Sequence, residues 1–178
     1  MYSEEEIKEQ IKQLNEEWTT LSEPPREKIH VLYVDDEIKN LRSFKSVLRR
    51  EFKVFTAESA QEGLEILDRE KIHVIVTDQI MPKMTGIEFL KLVRQKHPTP
   101  LRVLLTGYSD IEAVISSINE GGVYRYMTKP WREEEMRQVL ESTYEVFYLR
   151  EKNKKLTEDL IKTNRQLEFL LRQQMLDS

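Results

Sequence analysis

The chain has 178 residues, no cysteine, a formal net charge of −4 and a charged fraction of 34%. That length holds one ordinary domain with a buried core plus appendages, and the absence of thiols excludes a disulfide framework or a thiolate metal site. The charge balance argues against a general nucleic-acid coat. No apolar run reaches the roughly 20 residues that span a bilayer, and Glu4 to Glu6 stand where a signal peptide would be basic and then apolar, so the chain reads as cytoplasmic.

In chain order, Ser3 and Glu6 stand in capping-box spacing ahead of Ile7, Ile11, Leu14, Trp18 and Leu21, which alternate steps of four and three. The spacing predicts an amphipathic helix over residues 1–22. Pro24-Pro25 ends it, because the residue before a proline is pushed out of helical geometry, and a linker over 23–28 follows. A helix this short is marginal alone and should dock on the following domain, on the C-terminal helix or on a second copy of itself.

From Ile29 the pattern changes to short β-branched runs separated by amphipathic helices, the rhythm of a parallel sheet. Strands are predicted at Ile29–Val34, Lys53–Thr56, Val74–Thr77, Arg102–Leu105 and Val123–Met127. Helices are predicted at Lys39–Arg50, Ala60–Arg69, Ile87–Lys96, Ile111–Asn119 and from about Arg132. The runs at Val31 and Val74 are apolar at consecutive positions, as expected when helices cover both faces of the sheet.

The last helix runs past the point where a domain needs it. With Val146, Asn153, Leu160 and Leu167 at heptad position a, position d holds Leu149, Leu156, Thr163 and Leu170, so six of eight seam positions are aliphatic. No Gly or Pro interrupts the chain from Trp131 to Ser178, which allows domain helix and coil to be one rod. Asn153 at a favours a parallel dimer in one register. Glu145 at g facing the partner's Arg150 at e favours the same orientation.

In an open parallel sheet ligands bind beyond the carboxyl ends of the strands, and here those ends carry Asp35-Asp36, Asp78, Thr106 and Lys129-Pro130. Each has a bland reading: Asp36 as a helix cap, Asp78 as a turn residue, Thr106-Gly107 as a strand exit, Lys129 as a surface charge. Their conjunction in order outweighs these readings. Three carboxylates on one edge repel unless a cation sits among them, and an oxygen-only donor set suits Mg²⁺.

The stretch from Asp78 through Met81-Pro82, Met84 and Gly86, together with Asp35-Asp36, Thr106-Gly107 and Tyr126-Met127-Thr128-Lys129-Pro130, resembles the receiver domains of two-component response regulators over about Lys28 to Thr143. The resemblance implies a flavodoxin-like, doubly wound five-stranded parallel sheet. The expected organisation is then an N-terminal helix (1–22), a linker (23–28), a receiver (29–143) and a coiled-coil dimerisation helix (144–178). It further implies that Asp78 accepts a phosphoryl group from a sensor histidine kinase. Mg²⁺ would rest on Asp36, Asp78 and the Ile80 carbonyl, with Asp35 held through water. Thr106 and Lys129 would bind the transferred oxygens, the Lys129-Pro130 bond would be cis, and Thr106 would couple to an aromatic switch on strand five. Tyr126 fits that switch by motif position, with Tyr124 the alternative on the same side. Bulky Ile80 and Tyr108 are expected to obstruct the hydrolytic water and prolong the phosphorylated state.

Two rival readings are weaker. Arg150, Lys152, Lys154 and Lys155 form a basic cluster, but it lies inside the heptads instead of ahead of them, unlike a zipper-type DNA-binding helix. A haloacid-dehalogenase-type phosphotransferase carries a second Asp two positions after the nucleophile, where this chain has Ile80. Within these 178 residues no segment reads as a DNA-binding, cyclase or phosphatase domain. The chain is therefore expected either to belong to a longer regulator with an output domain or to signal through dimer geometry.

Overall fold

A computed structural model describes residues 8, 9, 12, 27–107, 115 and 122–176. The predicted N-terminal helix lies almost wholly outside the described residues. So do Tyr108 and, apart from Ile115, the predicted helix Ile111–Asn119.

Five parallel strands form one sheet: β1 (Ile29–Val34), β2 (Phe52–Ala57), β3 (Val74–Asp78), β4 (Leu101–Thr106) and β5 (Arg125–Thr128), in the order β2-β1-β3-β4-β5. The described helices are α1 (Ile38–Leu48), α2 (Ala60–Arg69), α3 (Gly86–Lys96) and α4 (Glu133–Leu176). This is the doubly wound, flavodoxin-like arrangement that the receiver resemblance implies. Alternation along β1 shows why both faces need cover: Val31 and Tyr33 enter one core with Leu41 and Phe44 of α1 and Met136 and Leu140 of α4. Leu32 and Val34 enter the other, with Leu64 of α2 and Phe89 and Leu90 of α3.

Local chemistry sets the helix starts. The Ser59 hydroxyl accepts the Glu62 N–H ahead of α2, and Thr85 and Glu88 form a reciprocal capping box on α3. The fifth strand starts two residues later than predicted. Gly122 has φ +60° and Tyr124 N–H already donates to Arg102 O at 2.8 Å, so the chain reaches β4 through a turn before ladder pairing begins at Arg125.

Helix α4 is continuous for 44 residues, on the order of 66 Å at 1.5 Å per residue. Its first part packs on the sheet through Met136, Val139, Leu140, Thr143, Tyr144 and Phe147, a helical stripe of buried positions. Core contacts thus continue to Phe147, four residues beyond the boundary expected at 143. From there the helix leaves the domain, and Leu149, Leu156, Leu160, Leu167 and Leu170 are all exposed. Among the described residues no helix is long and apolar enough to cross a membrane.

Candidate functional site

The winding changes direction between β1 and β3: the chain steps from β1 outward to β2 and then back across to β3. Loops leaving the carboxyl ends of β1 and β3 therefore diverge, and a crevice opens between them. Strand register determines what lines it. Val34 pairs with Thr77, which sets Asp35 beside Asp78. Asp78 pairs with Leu105, and Thr106 pairs with Thr128, which sets Lys129 one step beyond.

Lys129 closes this edge. Its Nζ lies 2.5 Å from Asp78 Oδ1 and 3.4 Å from Asp35 Oδ2. Its backbone N–H donates to Thr106 O at 2.9 Å, and the Lys129-Pro130 peptide is cis. Asp35 and Asp78 are buried, and Thr106 is fully buried with its hydroxyl donating to Gly107 O at 3.3 Å. Asp36 is exposed next to Asp35. Ile80 is 67% exposed, and its N–H donates to Asp78 Oδ2 at 3.2 Å. The loop carrying Ile80 is tied down at both ends of Gln79: Gly86 N–H donates to Gln79 O at 3.0 Å, and Ile87 N–H donates to its side-chain Oε1 at 3.1 Å.

These positions coincide with a family. Residues 31–141 match the response regulator receiver domain. The chain belongs to that receiver family. It is 36% identical over 119 residues to the hydrogenase transcriptional regulatory protein HoxA of Bradyrhizobium diazoefficiens, covering 67% of this chain and 24% of that protein. The HoxA of Cupriavidus necator is 45% identical over 101 residues, 57% of this chain and 21% of that protein. The matched stretch thus spans a quarter or less of these relatives. Among solved structures, a response regulator receiver domain protein from Clostridium thermocellum superposes with a TM-score of 0.64 at 28% identity, over 68% of this chain and 98% of that one.

Electrostatics at the receiver's edge follow from two carboxylates facing one ammonium. Burial pushes the Asp78 carboxyl above its ordinary value and the Asp35 charge adds to this, while Lys129 and the Ile80 N–H pull the other way. For Lys129 the balance reverses: burial works to lower its pKa, but Asp78 and then Asp35 outweigh it and leave it raised. The ammonium is therefore firmly charged.

Among the described residues, no three acidic or histidine side chains close around a single point as a metal group would. The cation between Asp35 and Asp78 is Lys129 itself. The donors nonetheless fit a small, hard divalent ion. Asp36 is exposed, Asp78 Oδ2 carries a single backbone N–H, and all available donors are oxygens.

Sequence reasoning missed three residues that shape this site. The Tyr33 hydroxyl donates to Asp35 Oδ2 at 2.5 Å, and the Asn40 amide reaches both Asp35 oxygens at 3.2 and 3.1 Å. Glu37 N–H donates to Asp35 Oδ1 at 2.9 Å. Tyr33 reads in sequence as one more apolar strand residue. The available signal was its spacing, since two residues apart on a strand lie on one face. Tyr126 on β5 is 42% exposed, whereas Tyr124, just ahead of the strand, packs against the α4-side core with Arg150 over its ring at 5.7 Å.

Proposed function

We propose that this receiver is a phosphorylation-driven switch: Asp78 accepts a phosphoryl group from the phosphohistidine of a sensor histidine kinase, and α4 carries the change into a dimer. The observation that carries this reading is the 2.5 Å contact between Lys129 Nζ and Asp78 Oδ1 at the rim of the crevice. It places a fixed positive charge beside the nucleophilic oxygen.

An Asp78 carboxylate oxygen bonds to phosphorus as the phosphorus–nitrogen bond breaks and the imidazole leaves, giving an acyl phosphate. Lys129 then shifts from the carboxylate to a phosphoryl oxygen, where it offsets the added charge. Thr106, on the adjacent strand, supplies a hydroxyl to a second oxygen. Mg²⁺ would be held by Asp36, Asp78 and the Ile80 carbonyl, with Asp35 one water away, and when bound it neutralises charge between two anionic groups. Ile80 stands at the mouth and shields the product from water.

Tyr126, exposed on β5, is the aromatic that turns inward as Thr106 engages the phosphoryl group. The exposed leucines of α4 form the seam of a parallel homodimer over 146–174, with Asn153 at its polar position. Their exposure supports this, because a row of bare leucines along a single helix is costly unless covered. The receiver and its C-terminal coil then act as one signalling unit in the cytoplasm. A C-terminal output domain or a partner of the coil reads the change.

The test is exposure of the full chain to a small acyl-phosphate donor with Mg²⁺, followed by intact mass and peptide mapping. One phosphoryl group on Asp78, absent from Asp78→Asn, is the expected result. An unlabelled wild type, or label that persists in Asp78→Asn, overturns the reading.

A further inference from the structure

Two carboxylates face Lys129, yet the ammonium is shared unevenly, 2.5 Å from Asp78 and 3.4 Å from Asp35. The placement of the other donors accounts for the difference. Asp78 receives one further hydrogen bond, from Ile80 N–H to Oδ2, which leaves Oδ1 to the lysine. On Asp35, Glu37 N–H and the Asn40 amide meet Oδ1, while the Tyr33 hydroxyl and the same amide meet Oδ2. Three donors thus crowd Asp35, and Lys129 Nζ reaches its Oδ2 only as the longest contact, at 3.4 Å.

Tyr33 supplies the shortest of these bonds, and the structure holds it there. Its ring stacks on Phe44 at 4.2 Å, and Phe44 meets Trp131 edge-on at 5.6 Å, two residues after Lys129. Tyr33 and Asp35 are each 1% exposed, so water does not compete for the bond. Packing alone needs only a phenyl ring at this place. The hydroxyl must be explained by what it touches.

We infer that Tyr33, seconded by Asn40, is a positioning residue for phosphoryl acceptance: by occupying Asp35 it weakens that carboxylate's hold on Lys129 and keeps the ammonium closer to Asp78 and to the incoming phosphoryl oxygens. This rests on the proposed phosphoacceptor role of Asp78. Tyr33→Phe keeps the ring on Phe44 and strips the hydrogen bond. Asp35 then presents a less compensated negative charge. It attracts a divalent ion more strongly, and it draws Lys129 away from the position where the phosphoryl group must meet it.

The two effects have opposite signs at two ligands, which a general loosening of the site cannot produce. The full chain is titrated with Mg²⁺ alone by calorimetry, then with beryllofluoride at saturating Mg²⁺ by fluorine NMR. In Tyr33→Phe, Mg²⁺ should bind about three- to tenfold more tightly and beryllofluoride about three- to tenfold more weakly, a partial transmission of one hydrogen bond to a charged group. Asn40→Ala should move both constants the same way, and it carries the test if Tyr33→Phe does not fold. Unchanged constants, or parallel weakening of both ligands, overturn the inference. A wild type that takes up no beryllofluoride instead overturns the phosphoacceptor reading beneath it, and this one with it.

Discussion

Gly86 stands against the backbone carbonyl of Asp78 with no room for a side chain between them. A Cβ there would collide with the Asp78 carbonyl oxygen and come within 2.9 Å of Leu104 Cδ1. Neither obstacle can yield: the carbonyl belongs to the last residue of β3, and Leu104 is fully buried. The glycine is thus a matter of close approach, and it lets the first turn of α3 press the Gln79–Thr85 loop onto the strand end. Gly86→Ala is expected to destabilise the chain by about 1–3 kcal/mol, as overpacking against rigid neighbours does. The urea midpoint measures the loss. A shift within error would show that the loop accommodates a methyl group.

Burial of the Asp78 carboxyl costs the fold stability. Because burial raises its pKa in the folded state, the fold binds this proton more readily than the unfolded chain does. Its contribution is therefore most favourable below the ordinary carboxylate value of 3.8 and is lost as pH rises through the higher folded value. Asp78→Asn removes the buried charge and should raise the melting temperature at neutral pH. The gain should shrink as pH falls through the carboxylate range, and thermal melts of both proteins between neutral and acidic pH check the slope.

Much of this was legible in the sequence because the relevant signals are local and periodic. The β-branched runs placed β1 at Ile29–Val34 and the amphipathic spacing placed α2 at Ala60–Arg69 with the boundaries observed, and among the other described elements no predicted end is off by more than two residues. Asp35, Asp78, Thr106 and Lys129 were found by asking what ends each strand, a question parallel topology makes meaningful. Register was not legible. That Val34 lies opposite Thr77 and Thr106 opposite Thr128 depends on how the strands slide against one another. The unequal sharing of Lys129 needed side-chain geometry. So did the last buried turn of α4, since Tyr144 and Phe147 fall in the same helical run as the coil and nothing in the spacing separates core from seam.

His73 offers an acid-sensitive reporter of that joint. It is buried at the start of β3 with its ring 5.1 Å from both His30 and Tyr144 and 5.0 Å from Phe147, and its Nδ1 accepts the His30 backbone N–H at 3.0 Å. Burial, with the charges of His30 and Lys71, lowers its pKa to about 4. The unfolded chain then binds this proton first. The stability His73 contributes is full above the ordinary histidine value of 6.5 and is lost as pH falls toward 4, on the order of 2–3 kcal/mol over that range. His73→Asn retains an acceptor for the His30 N–H and should flatten the dependence, whatever it does to stability at pH 7. Denaturant midpoints at pH 7 and pH 5 for both proteins decide it, and equal slopes would remove His73 as the cause.

The exposed leucines of α4 lead to the remaining prediction, which concerns where the helix leaves the receiver core. Tyr144 and Phe147 are in the core and Arg150 lies over the Tyr124 ring, so a cut after Thr143 would strip the receiver of its own packing. A cut after Lys152 spares those contacts and removes Leu156, Leu160, Leu167 and Leu170, the exposed seam. If the seam pairs two copies, the chain ending at Lys152 should sediment as a folded monomer and the full chain as a dimer. Asn153→Leu should tighten the pairing at the expense of register, because a buried amide costs stability while selecting one alignment. Equal sedimentation of the full and shortened chains would mean that the leucines are not covered by a second copy.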